Sequence, residues 1–264
     1  MSDDEVFVMF ASGAVAITGF VMNFTRLLRP QARRDNPGLG LVRLAVLLGL
    51  GWIVFVLATY ADPSIKGIYN YFYLLMGLAA ILMFGETGAR MYGVNVRIDV
   101  GERRNWAAAV FLAAFMLGTG LIFGGSLWGE ADPTGGGDEG GWWIPLGFFL
   151  LGWGVMVIGL ALYCWREPGR FRQAIRQDRD VGAVWGAASY TLSTAILMTD
   201  AVSGDFFGWG AGLKDVGIAA GMLFAHELLR LPVGVSDANR KRRWIETVVY
   251  FGLAGLNAAW RFVK

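Results

Sequence analysis

The chain has 264 residues, of which 55% are apolar or aromatic and only 17% charged, and its mean hydropathy is +0.48. That balance excludes a disordered segment and argues against a water-soluble domain, while a net charge of +2 is no signal for nucleic acid. A single cysteine, Cys164, and a single histidine, His226, exclude an internal disulfide, a bis-histidine haem and a histidine-rich metal centre.

An apolar run of about 20 residues crosses a hydrocarbon core of roughly 30 Å as a helix, the one open-chain conformation that satisfies its own backbone in lipid. Eight such runs follow one another, at about 7–28, 41–60, 68–92, 106–128, 142–165, 181–203, 211–231 and 245–263. The expected fold is therefore all-α, a polytopic membrane bundle of eight transmembrane helices. Breakers separate the runs: Asn36-Pro37-Gly38, Asp62-Pro63-Ser64, Asp132-Pro133-Thr134 and Glu167-Pro168-Gly169. The sixth run carries Ser189, Thr191, Ser193, Thr194 and Thr199, and is expected to be enclosed by other helices. Trp142, Trp143, Trp165, Trp209 and Trp244 stand at run ends, as interfacial belts do.

Lysine and arginine are distributed unevenly. Alternate connections hold eighteen cations, among them Arg26, Arg34, Arg97, Arg104, Arg170 and Arg243. The other side has Lys66, Lys214, Arg261 and Lys264 beside an acidic start, Asp3, Asp4 and Glu5, and an acidic glycine-rich segment at 130–141. Short cationic loops are retained in the cytoplasm. Both termini are expected outside a bacterial or archaeal cytoplasmic membrane, with the basic loops contacting anionic lipid. The acidic N-terminus lacks the basic region of a cleavable signal, so the first run is expected to be retained.

Shifting the sequence by 140 residues lays the first three runs over the fifth to seventh: Gly19 meets Gly159, Arg26 meets Arg166, Gly77 meets Gly217 and Arg90 meets Arg230. The expected organisation is a four-helix repeat at 1–129, a linker at 130–141 and a second four-helix repeat at 142–264. An even helix number gives both halves the same orientation, with a pseudo-twofold along the membrane normal. Three features of the second half carry a resemblance: Arg-Gln-Asp-Arg-Asp-Val-Gly-Ala at 176–183, Asp215, and Gly255-Leu256-Asn257-Ala258-Ala259. Over about 120 residues this half resembles the YjfL-like family of small four-helix inner-membrane proteins, a domain of unknown function. That family's usual Gly-Asn step before its second helix is Arg179-Asp180 here. The resemblance implies a membrane module without an assigned reaction.

Ionisable groups inside a span need a partner, a wet cavity or an interfacial position, because each costs roughly 2.5–3.5 kcal/mol on insertion scales. Glu86 and Arg90 share one helical face and are spaced for an ion pair. His226 aligns with Glu86, and His226 or Glu227 can reach Arg230. These five residues form either internal ion pairs near the helix ends or a polar relay between the repeats, with His226 exchanging protons. His226 is also the one candidate axial ligand for haem or a chlorin, although nothing requires a cofactor and no metal-ligand set emerges. Asp200 and Asp215 sit near the outer ends of the sixth and seventh runs, as a facing acid–base pair or as interfacial anchors. Asn257, beside Ala258 and Ala259, reads as a helix–helix hydrogen bond. No coherent nucleophile or cofactor motif points to an enzyme. The expectations are a noncatalytic membrane subunit partnering other subunits or its own copies, a small ion or proton transporter with a polar path between repeats, or a pigment- or haem-associated subunit.

Overall fold

The computed structural model describes residues 1–25, 36–129, 141–167, 171–204, 209–230 and 240–263. Its α-helices are α1 (Asp3–Phe24), α2 (Pro37–Thr59), α3 (Ile68–Met91), α4 (Trp106–Gly125), α5 (Trp143–Arg166), the short α6 (Phe171–Arg176), α7 (Val181–Ala201), α8 (Trp209–Leu229) and α9 (Arg240–Val263). A π-helical turn, Val96–Glu102, joins α3 to α4. Among the described residues there is no strand, only an isolated bridge between Ala61 and Gly129. Six helices, α1 to α5 and α7, are long and apolar enough to cross a membrane. The fold is thus an all-α bundle of membrane type. The expected eight spans reduce to six by length and composition, because Lys214, Asp215, His226 and Glu227 interrupt α8 and Arg240 to Arg243 open α9. Linker residues 130–140 and the loop cations Arg26, Arg29, Arg33, Arg34 and Arg170 lie outside the described residues.

Helix starts follow local chemistry. Asn36 accepts hydrogen bonds from the Gly38 and Leu39 amides, with Pro37 at the first helical position, where its missing N–H costs nothing. Asp180 caps α7 through Gly182 and Ala183, and Asn105 caps α4 through Ala108. Arg104 and Arg179, the residues just before two of these caps, both adopt left-handed backbone, φ 52° and 54°. That conformation favours glycine, which gives a physical reason for a Gly-Asn step where this chain has Arg179-Asp180.

Four helices, α2, α4, α7 and α9, form a row in which each packs on the next. Paired contacts fix their direction. A Cβ added at Gly38 would meet Ala109 and one added at Gly49 would meet Gly120, so α2 and α4 run parallel. Gly118 faces Ala195 and Gly125 faces Thr199 across α4 and α7. Ser189 donates to Thr247 and Asn257 to Asp200 across α7 and α9. Gly49 and Gly120 let α2 and α4 approach closely: a Cβ on Gly120 would stand 2.7 Å from the Gly49 Cα. α4 is buried on nearly every side, and α7 is enclosed, with Ser189, Thr191 and Thr194 buried.

The two halves therefore run in the same direction, but their packing is not that of a closed twofold. A twofold that placed α4 against α7 would also place α9 against α2, and among the described residues those two share no packed interface. The halves stand side by side instead.

The halves also differ internally. Gly85 and Gly88 on α3 receive Met116 and Phe115 of α4 so closely that a Cβ on either would clash. At the positions shifted by 140, α8 carries Ala225 and Leu228, and Leu228 is 62% exposed. Without those seats α8 has, among the described residues, no comparable interface with α9, and the two meet through side chains such as His226 and Tyr250.

Candidate functional site

The polar residues gather at three places. The largest lies inside the second half, where α5, α7, α8 and α9 converge. Arg230, just past the end of α8, is its centre. Its guanidinium donates through Nη1 to Glu167 Oε1 and through Nε to Glu227 Oε2 at 3.3 Å, with Glu246 Oε1 3.8 Å from Nη1. Its carbonyl accepts from Arg166 Nη2 at 2.9 Å, and its guanidinium carbon sits 4.2 Å over the Tyr163 ring. The side chains of Arg230, Glu167 and Glu227 are 5%, 6% and 3% exposed.

His226 closes the group from the α8–α9 side. Its Nδ1 is 3.3 Å from Glu227 Oε1, and its side chain is 40% exposed. The rings of Tyr190 and Tyr250 stand 6.4 and 5.5 Å from the imidazole. Among the described residues, Arg230 Nη2 and the Tyr250 hydroxyl are buried without a hydrogen-bond partner, so they offer sites to water. Among the described residues, the carboxylates of Glu167, Glu227 and Glu246 and the guanidiniums of Arg166 and Arg230 share this cluster.

The second place is at the same end of the first half. Arg90 Nη2 donates to Glu86 Oε1 at 2.6 Å, an i,i+4 pair whose side chains are 54% and 14% exposed. These two residues line a groove of about 420 Å³ between α1 and α3. The five residues read as one relay are thus divided, Glu86 and Arg90 beside α1 and His226, Glu227 and Arg230 within the second half. Asp200 and Asp215 are divided as well: Asp200 accepts from Asn257 Nδ2 at 3.2 Å, whereas Asp215 is exposed. Asn257 does make a helix–helix hydrogen bond, with that carboxylate as its acceptor.

The third place ties the halves together. Asp99, fully buried in the π-helical turn, accepts from the Asn95 amide at 2.9 Å and pairs with Arg103 at 3.3 Å and with Arg176 of α6 at 3.5 Å. Asn105 donates to the Ile175 carbonyl at 2.6 Å. Sequence reasoning missed Asp99, Glu167 and Glu246. Glu167 adjoins a Glu-Pro-Gly breaker, and Glu246 follows Arg240 to Arg243; both look like solvated loop charges until the helices are assembled. Among the described residues no group of three His, Cys, Asp or Glu is arranged to hold a metal.

The same four-helix plan, with its charged cluster at corresponding ends of α3 and α8, is matched twice by one family model. The family is the Domain of Unknown Function (DUF350), and the matches cover residues 5–132 and 140–260. The chain belongs to the DUF350 family. It is a tandem of two DUF350 repeats. No curated protein and no solved structure gave a match. Each DUF350 repeat keeps an arginine at the end of its third long helix, Arg90 or Arg230. In the first that arginine faces outward, and in the second it is enclosed.

Proposed function

We propose that this chain is a noncatalytic integral membrane subunit, a YjfL-like tandem whose second DUF350 repeat docks a neighbouring subunit through the side opened between α8 and α9. One observation carries the reading: among the described residues α8 and α9 have no close-packed interface, and His226 stands 40% exposed between them in front of Glu227 and Arg230. A polar ring left toward hydrocarbon is unfavourable, and a partner helix with a polar side chain relieves it. Exposed Leu228, Val248, Phe251 and Leu253 supply the apolar surround.

In this reading α8 and α9 cross the bilayer with the other six, since their 21 and 24 residues match the lengths of the neighbours. Both termini lie outside a bacterial or archaeal cytoplasmic membrane, as the arginine-rich connections require. Photo-crosslinkers at Leu228 and Val248 in native membranes, followed by mild-detergent purification and mass spectrometry, should recover one discrete partner or a second copy. Crosslinks to lipid alone, with a monomer in native mass spectrometry, would sink the proposal.

The buried carboxylates beside the partly exposed His226 favour a second reading, proton or cation movement past His226 and Glu227. Its path lies within the second repeat, not between repeats. Flux in proteoliposomes that disappears in Glu227→Gln would establish it. The haem or chlorin reading rests on His226 alone, and an absorption spectrum of the purified protein tests it.

A further inference from the structure

Beside Glu227, where α7, α8 and α9 converge, hydrogen-bonding groups outnumber the partners that side chains supply. Among the described residues, five polar atoms are buried there without completing a hydrogen bond: the hydroxyls of Tyr190, Thr194 and Tyr250, Glu227 Oε1 and Arg230 Nη2. Their residues are 8% exposed or less. The rings of Tyr190 and Tyr250 meet at 5.6 Å, Tyr190 interacts with Thr194 and Glu227, and Tyr250 interacts with Glu227 and Arg230. Other hydroxyls of α7 are satisfied by their own helix: Thr191 and Thr199 donate to carbonyls one turn back, at 2.8 and 2.7 Å. Thr194 makes no such bond. Left dry, five groups of this kind would together cost about as much as the net stability of a domain.

We infer that these five atoms enclose an internal water site, and that its waters carry protons between His226 and Thr194 with Glu227 as the group that takes them up. Each of the three hydroxyls accepts as well as donates, the carboxylate oxygen accepts and the guanidinium N–H donates. At roughly three hydrogen bonds per internal water, about two waters serve the whole set. Unmet hydrogen bonds, not net charge, select this occupant. The proton step rests on the second reading above, whereas the water site does not. His226, one turn from the end of α8 and 40% exposed, is the entrance, with Nδ1 3.3 Å from Glu227 Oε1. A proton leaving the imidazolium through Nδ1 gives neutral imidazole and a Glu227 carboxylic acid; that acid then donates to a water, and every oxygen beyond takes up one proton and releases another. Among the described residues, the charged groups around Glu227 are His226 beside it, Arg230 past α8, Arg166 and Glu167 at the end of α5, and Glu246 of α9, while α7 brings Tyr190 and Thr194.

The test uses the full chain in nanodiscs prepared in isotope-labelled water and exposed to millisecond X-ray pulses, which turn bound waters into hydroxyl radicals where they sit; mass spectrometry then reads the labelled residues. Tyr190 and Tyr250 should take up label promptly despite their burial. Tyr92, also buried but with its hydroxyl on the Val157 carbonyl at 2.6 Å, is the dry control. Thr194→Val, which keeps the shape and deletes a hydroxyl, and Tyr250→Phe should each lower labelling of Tyr190 by up to about tenfold, the worth of one hydrogen bond. In proteoliposomes under a pH difference, an enclosed pH dye should report proton uptake that persists when choline replaces sodium and falls by up to about tenfold in both variants. Labelling of Tyr190 and Tyr250 no faster than that of Tyr92, or unchanged in both variants, would overturn the water site and the relay with it. Labelled waters with an uptake that requires sodium would overturn the proton assignment. Labelled waters with no uptake by the wild-type protein would overturn the transport reading and the relay resting on it, and support the water site alone.

Discussion

Replacing Arg230 by methionine removes one charge from a place with little water. Glu167 and Glu227 would remain 6% and 3% exposed, facing Glu246 and each other without the guanidinium between them. Breaking a buried pair from one side costs about 3–5 kcal/mol, because the abandoned charge keeps its desolvation penalty. Arg166, whose Nη2 is held on the Arg230 carbonyl, is placed to offset a small part of that. Arg230→Met should therefore lose about 3–5 kcal/mol in reversible unfolding by sodium dodecyl sulfate in mixed micelles, read from tryptophan fluorescence. The triple variant Glu167→Gln/Glu227→Gln/Arg230→Met should recover most of the loss, since replacing a whole buried ionic set by neutral groups is often close to neutral. Arg90→Met, at an exposed pair, should change stability by no more than about 1 kcal/mol. A loss below about 1 kcal/mol for Arg230→Met, or a triple variant no better than the single, would mean that the cluster is well hydrated and the packing argument wrong.

At the close contact of α2 and α4, Gly120→Val should lose about 1–3 kcal/mol by forcing α4 from α2. Gly217→Val, with nothing within 4 Å of its added Cβ, should stay within about 0.5 kcal/mol, and thermal melts in detergent compare the two. Asn105→Leu deletes the cap of α4 and the hydrogen bond to Ile175 across the halves, for a loss of about 2–3 kcal/mol. Asn105→Asp should recover the part due to the cap, since a carboxylate accepts from Ala108 but cannot donate to Ile175. Arg179→Gly should raise the free energy of unfolding by about 0.5–1 kcal/mol, because glycine adopts φ 54° without the steric penalty of a side chain; a fall would show that the arginine side chain holds the turn.

Helix positions were legible in the sequence because lipid imposes a length, and each apolar run is bounded by residues whose local chemistry ends a helix. Asn36 and Asp180 mark their starts by themselves. The Glu86–Arg90 pair was legible too, since it depends on spacing within one helix. The Arg230 cluster was readable in part: His226 and Glu227 lie on its own helix, whereas Glu167 and Glu246 come from helices 63 residues before it and 16 after. No one-dimensional pattern shows that a Glu beside Pro168 is buried. The acid–base alternative for Asp200 and Asp215 followed from depth along their helices. Rotation about the helix axis decides it instead, and turns Asp215 outward while Asn257 reaches Asp200.

The row of α2, α4, α7 and α9 has a direction as well as an order. One flank of the molecule always ends in a second-type helix and the other in a fourth-type helix, so its two borders are unlike. Any self-association that reuses the α4–α7 contact must then join the left border of one molecule to the right border of the next. Such polarity builds rings or running filaments and forbids a face-to-face pair.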